Sequence, residues 1–158
     1  MEIQTVSQYQ ALIQHSSDLI TLIDESGVIQ FESPSVEPIL GYEPGELVGE
    51  NAFEYIHPDD RERVMNAFAE LVGSAAGVTN QAEYRFRDAD GSWVWLESVT
   101  TNQVGTGLDG YVINSRDISR RKERERAFAE EHEKYATLVE QSHDGITILR
   151  DGAFVFAN

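Results

Sequence analysis

The chain has 158 residues, with 28 acidic side chains against 12 basic ones and a formal net charge of −16. An acidic surface cannot supply the basic face that phosphate contacts need, so nucleic acid is excluded as a partner of this segment. The absence of cysteine rules out disulfides, thiolate metal sites, cysteine nucleophiles and cysteinyl flavin adducts.

No run approaches the ~18 apolar residues of a membrane span, and residues 1–10 lack the charged and apolar regions of a signal peptide. The segment therefore reads as soluble and cytoplasmic, with no membrane contact of its own. Only Lys122 and Lys134 are lysines, and the remaining cations are arginines. An excess of acid with so little lysine fits a surface working in concentrated salt, where self-repulsion is screened.

Taken in chain order, Tyr9, Leu12 and Ile13 space as one face of a short helix from Ser7 to His15. Asp18 to Asp24 is apolar and β-branched, Glu25-Ser26-Gly27 supplies a turn, and Val28 to Glu32 resumes the strand pattern, which predicts a hairpin. Pro38, Gly41, Pro44 and Gly49 break the next stretch into brief helical turns. Pro58 then suits the first position of a helix, Asp59 and Asp60 suit its positive end, and Val64, Phe68 and Leu71 form a buried stripe up to Gly73.

Ala82, Tyr84 and Phe86 alternate with charged residues as a half-buried strand. Asp90-Gly91 turns the chain into a returning strand from Ser92 to Gln103, and Tyr111 to Arg116 makes a fifth. Two strands, a helical middle and three strands predict an α+β fold built on a five-stranded antiparallel sheet with helices on one face. After Ile118 the chain becomes charged and helical to Gln141. Ile118, Phe128, Tyr135 and Val139 fall on a heptad seam, which predicts a coiled coil.

An internal repeat is also present. Tyr9, Leu12, Ser16, Asp18, Ile20 and Thr21 are matched by Tyr135, Leu138, Ser142, Asp144, Ile146 and Thr147, and Gly27 and Phe31 by Gly152 and Phe156. A period of about 125 residues means tandem whole domains, since solenoid units run to ~20–50. The second copy covers only the opening of a module. An isolated hairpin cannot bury its apolar face, so residues 145–158 are expected to be disordered or to borrow a neighbour's surface.

Catalytic signatures are missing: the glycines fall at turns and form no phosphate cradle, and nothing resembles a nucleophile elbow. His57 reads as a helix-start residue in preference to a metal or haem ligand, and His132 as a solvated seam position. Asp59, Asp60 and Glu62 read as first-turn charges in preference to a cation site. Trp93 and Trp95 read as packing residues in preference to a stacking platform. Asp117, at the end of the last strand, can cap the next helix and pair with Arg121 one turn on, which would couple the sheet to the helix.

Several pieces occur in one order and spacing. They are Leu19–Asp24, Gly27–Pro34, Ile39-Leu40-Gly41-Tyr42 with Glu46-Leu47-Val48-Gly49, and His57-Pro58-Asp59-Asp60. Tyr84-Arg85, Asp90–Glu97 and Arg116-Asp117-Ile118-Ser119 follow. Together they resemble a PAS domain with its C-terminal PAC motif, over about residues 7–119, and the stretch from Tyr135 resembles the start of a second PAS domain. The resemblance divides the chain into a flanking helix (1–16), a PAS/PAC domain (17–119), a linker helix (120–141) and the start of a second module (142–158).

The resemblance implies a sensory or dimerising module whose C-terminal signalling helix feeds a further PAS domain or an output domain, a histidine kinase above all. A ligand-free dimerising spacer and a module of a transcription regulator are the alternatives. Partners implied are a second copy, held through the flanking helices, and downstream domains of the same protein. No metal and no cofactor is expected: the flavin-reactive cysteine is missing, and the helix from Pro58 has no histidine to ligate haem. A non-covalent small-molecule ligand is left open. Its pocket would be lined by Ile20, Leu22, Val64, Phe68, Ala82, Tyr84, Phe86, Val94 and Leu96, with Asp117 and Arg121 as the relay. The alternative is that these side chains simply fill the core.

Overall fold

The computed structural model describes residue 8 and residues 10–141, 147–150 and 153–157. The chain divides into two compact units, Met1–Ser119 and Arg120–Asn158. In the first, residues 10–14 are helical, as the spacing of Leu12 and Ile13 predicts; Ser7 and Tyr9 lie outside the described residues.

The sheet has five strands, β1 (Leu19–Ile23), β2 (Ile29–Glu32), β3 (Thr79–Arg87), β4 (Trp93–Asn102) and β5 (Tyr111–Asp117). They are ordered β2-β1-β5-β4-β3, with every neighbour pair antiparallel. The first and last strands in sequence thus meet at the centre, which ties the N-terminal hairpin to the C-terminal exit. Between β1 and β2 the Asp24 carboxylate accepts the N–H groups of Ser26 and Val28 at 2.9 and 3.0 Å. Gly27 follows at φ 87°, a conformation an L side chain rarely adopts.

The helical middle comprises α1 (Val36–Leu40), a 3₁₀ turn (Ala52–Tyr55) and α2 (Pro58–Val72). α1 stops at Gly41, whose left-handed φ of 78° lets its N–H reach the Glu37 carbonyl at 2.8 Å. α2 has Pro58 at its start, and His57 caps it by accepting the Asp59 N–H on Nδ1 at 3.1 Å. Its predicted stripe of Val64, Phe68 and Leu71 is buried. These elements cover one face of the sheet, where Ile23, Ile29, Val36, Leu40, Leu47, Ile56 and Leu96 make the centre of the core.

In the second unit, α3 (Ser119–Gln141) carries ion pairs one turn apart, Arg121 with Glu125 and Arg126 with Glu130, both at 3.7 Å. β6 (Thr147–Arg150) and β7 (Ala153–Ala157) pair as a two-stranded antiparallel ladder. For the described residues, the expectation of disorder from residue 145 gives way to this paired ladder. The ladder shifts register between Ile148 and Leu149, and that of β1–β2 shifts between Leu22 and Ile23, the corresponding residues of the repeat.

Candidate functional site

β3, β4, β5 and α2 enclose a cavity of about 50 Å³. The β3 residues Ala82, Tyr84 and Phe86 line it from the sheet, and Val64 and Phe68 close it from α2. Ile23, Ala52, Phe53, Ile56, Leu71 and Ile113 complete the apolar wall. Pockets for drug-sized ligands run to ~300–1,000 Å³, whereas one ordered water needs ~10–15 Å³ by the same measure. The cavity therefore fits a few waters or a fragment of a few heavy atoms.

A second cavity of about 30 Å³ lies on the β1–β2 side, sharing Ala52, Tyr84, Phe86 and Ile113 with the first. Leu96, 2% exposed, lines this one. Val94 packs against the core at the end of the same strand face.

Ile20 and Leu22 are the correction. β1 buries Leu19, Thr21 and Ile23 and turns Ile20 and Leu22 to the opposite face of the sheet. The stretch Leu-Ile-Thr-Leu-Ile is apolar on both faces, so hydrophobicity alone cannot choose between them. The deciding residue is Thr21, which packs beside Glu32 and Ser115 in the wall of the second cavity.

Polar groups missed in the sequence organise the interior. The Tyr84 and Ser98 hydroxyls lie 2.8 Å apart, and the Ser98 and Ser115 hydroxyls 2.7 Å apart, a buried chain crossing three adjacent strands. Burial pushes the Tyr84 phenol up. Asp60 is buried and accepts the Arg85 side chain on both oxygens at 2.9 Å, with the Arg85 backbone N–H at 3.0 Å. The hydrogen-bonding guanidinium holds the Asp60 carboxyl below its usual range. Asp60 is thus more than a first-turn charge: it bolts α2 to β3. No group able to hold a metal ion occurs among the described residues.

The tryptophans sit at the β3–β4 end. The Trp93 ring lies 4.6 Å from the His57 ring, and the Arg85 guanidinium lies 5.1 Å over Trp95. Around Trp95 the sheet hands over to α3. The Ile118 N–H donates to the Trp95 carbonyl at 2.9 Å, and Ser119 Oγ accepts the Trp95 N–H at 3.1 Å. Asp117 Oδ1 accepts the Ser119 N–H at 2.8 Å, and Ile118 is buried. Arg121, beyond this point, pairs with Glu125.

Residues 29–106 match the family model of the PAS fold. The White collar 2 protein of Neurospora crassa is 34% identical over 90 residues, 56% of this chain and 16% of that protein. The human basic helix-loop-helix ARNT-like protein 2 is 32% identical over 82 residues, 52% of this chain and 13% of that protein. The chain thus spans less than a fifth of the length of these curated relatives.

Among solved structures, the PAS domain of an HTR-like protein from Haloarcula marismortui is 27% identical with a TM-score of 0.63, over 73% of this chain and 99% of that one. A sensory box histidine kinase/response regulator from Burkholderia thailandensis is 29% identical with a TM-score of 0.62, over 82% and 98% of the respective chains.

Proposed function

Since the chain carries a PAS domain, we propose that it is a sensory and dimerising module that relays a signal through α3 to downstream domains of a multidomain signal-transduction protein. The output we favour is a sensor histidine kinase, in keeping with the Burkholderia thailandensis relative. The module itself catalyses nothing and works in the cytoplasm. Among its described residues no helix is long and apolar enough to cross a membrane.

One observation carries this reading. Both backbone groups of Trp95, near the start of β4, are held by Ile118 and by Ser119, the residue just before α3 and the first residue of α3. A displacement of β4 against β5 therefore moves the root of the helix, and Asp117 keeps that root in helical geometry. Residues 120–141 would carry the change as altered coiled-coil packing against a second copy. Phe128 and Tyr135 are more than half exposed on α3 and available for that seam.

We read residues 142–158 as the opening of a second PAS module, because the register shift of β6–β7 falls at the residues that correspond to those of β1–β2. In a protein containing the module, Asp117→Ala is expected to uncouple output from signal while leaving the domain folded. Unchanged output with unchanged signal dependence would rule out this route.

A second reading, a module of a transcription regulator, is favoured by the basic helix-loop-helix relative, since such dimers grip DNA. A third, a ligand-free spacer, draws support from the small size of the cavity. The absence of any thermal shift across a metabolite library would favour the spacer.

A further inference from the structure

Glu32 ends β2 with its side chain turned into the core, only 6% exposed, in the wall of the 30 Å³ cavity. Its Oε2 has no hydrogen-bond partner. The facing residues from β1, α1, the 3₁₀ turn, β4 and β5 carry no ionisable group, and β3 contributes one, Tyr84, whose hydroxyl is engaged with Ser98. The remaining influences come from the loop after α1. There the Leu47 backbone N–H favours the charged form, and the Glu46 carboxylate opposes it.

A carboxylate buried without a cation is costly, and the usual escape is to take a proton. The hairpin does not need this side chain: β7 places Ala157 opposite Thr147, where β2 places Glu32 opposite Thr21. A costly group that the local structure can do without calls for another role. We propose that Glu32 and the cavity it faces form a proton-binding site, closed while the carboxyl is neutral and opened to water when it ionises.

Neutral Glu32 is a donor, and the Thr21 and Ser115 hydroxyls in the same wall are acceptors within its cavity. Ionised Glu32 is an acceptor only. Its proton leaves to solvent, and Oε2 must then draw in water, for which 30 Å³ leaves room for about two molecules. Opening begins where β1 pairs with β2, next to the central strand β5. The site stands whether or not α3 transmits anything, so it goes beyond the relay reading and fails or succeeds separately from it.

Burial is the main cause that raises the carboxyl from 4.5 to about 7. The folded domain holds its proton at higher pH than the unfolded chain does. The stabilisation is therefore complete below 4.5 and is lost as pH rises through about 7. Acidification also relieves the net charge of −16, so the readout is the difference between the natural chain and Glu32→Gln, which keeps size and removes the proton.

The full chain, labelled with ¹³C at glutamate carboxyls, is titrated by NMR. One resonance absent from the variant is expected to titrate near pH 7, against the ordinary glutamate value of 4.5. From pH 6 to 8 the natural chain's Tm is expected to fall relative to that of Glu32→Gln. Titration of Glu32 together with the exposed glutamates, or parallel Tm profiles, would overturn the proposal. Should Glu32→Gln fail to fold, Glu32→Ala, the residue of the second copy, serves the same comparison, and the titration of the natural chain stands alone.

Discussion

Asp60 takes three hydrogen bonds from Arg85 and lies 3.8 Å from Arg63, so its charge is met from both β3 and its own helix. Removing one partner of such a buried pair leaves the other charge stranded. Asp60→Ala is expected to destabilise the domain by about 3 kcal/mol in urea unfolding, the low end for a buried pair because the Arg85 side chain, 27% exposed, can turn to water. The carboxyl is held below 3.8, so its contribution is full above that value and lost as pH falls through the folded pKa. The gap between variant and natural chain should therefore narrow in strong acid, opposite in sign to the effect of Glu32. At this scale the sequence was least informative. The first-turn position of Asp60 is plain in the order His-Pro-Asp-Asp, but its partner lies 25 residues away on another element.

Among the elements, the β1–β2 hairpin shows how one backbone position holds a cavity wall. A Cβ on Gly27 would run into the Phe53 ring, and Gly27 stands at φ 87°. Phe53 in turn packs on Phe68 of α2, with ring centres 5.4 Å apart, and both line the larger cavity. Gly27→Ala is expected to cost about 2 kcal/mol or more, from left-handed strain plus displacement of that ring. Denaturant midpoints measure it, and a change within experimental error would mean the ring yields freely. The hairpin, the α2 start and the β3–β4 return were all legible, because periodicity, turn residues and caps are local signals. The face of β1 was not: Ile20 and Leu22 are as apolar as Leu19 and Ile23, and only the tertiary core that takes in Leu19 and Ile23 selects among them.

For the molecule as a whole, the charge of −16 sets the response to salt. At low ionic strength the acidic surface repels itself, and raising salt from 0.15 M to 1 M shortens the screening length from about 8 to about 3 Å. Tm is expected to rise steeply toward molar salt, and sedimentation in that salt is expected to show a dimer. A flat melting profile would remove the salt dependence, and a monomer at high concentration would remove the seam along α3.

By itself the sequence determined the order of strands and helices, the fold class, the resemblance over residues 7–119 and the repeat beyond it, since each rests on patterns read within a few residues or by matching one stretch to another. Tertiary structure decided which face of β1 is inside, how little space the core leaves, and what Asp60 and Glu32 meet there. Those outcomes depend on groups brought together from distant elements, and the burial of a charge has no signature in the residues beside it.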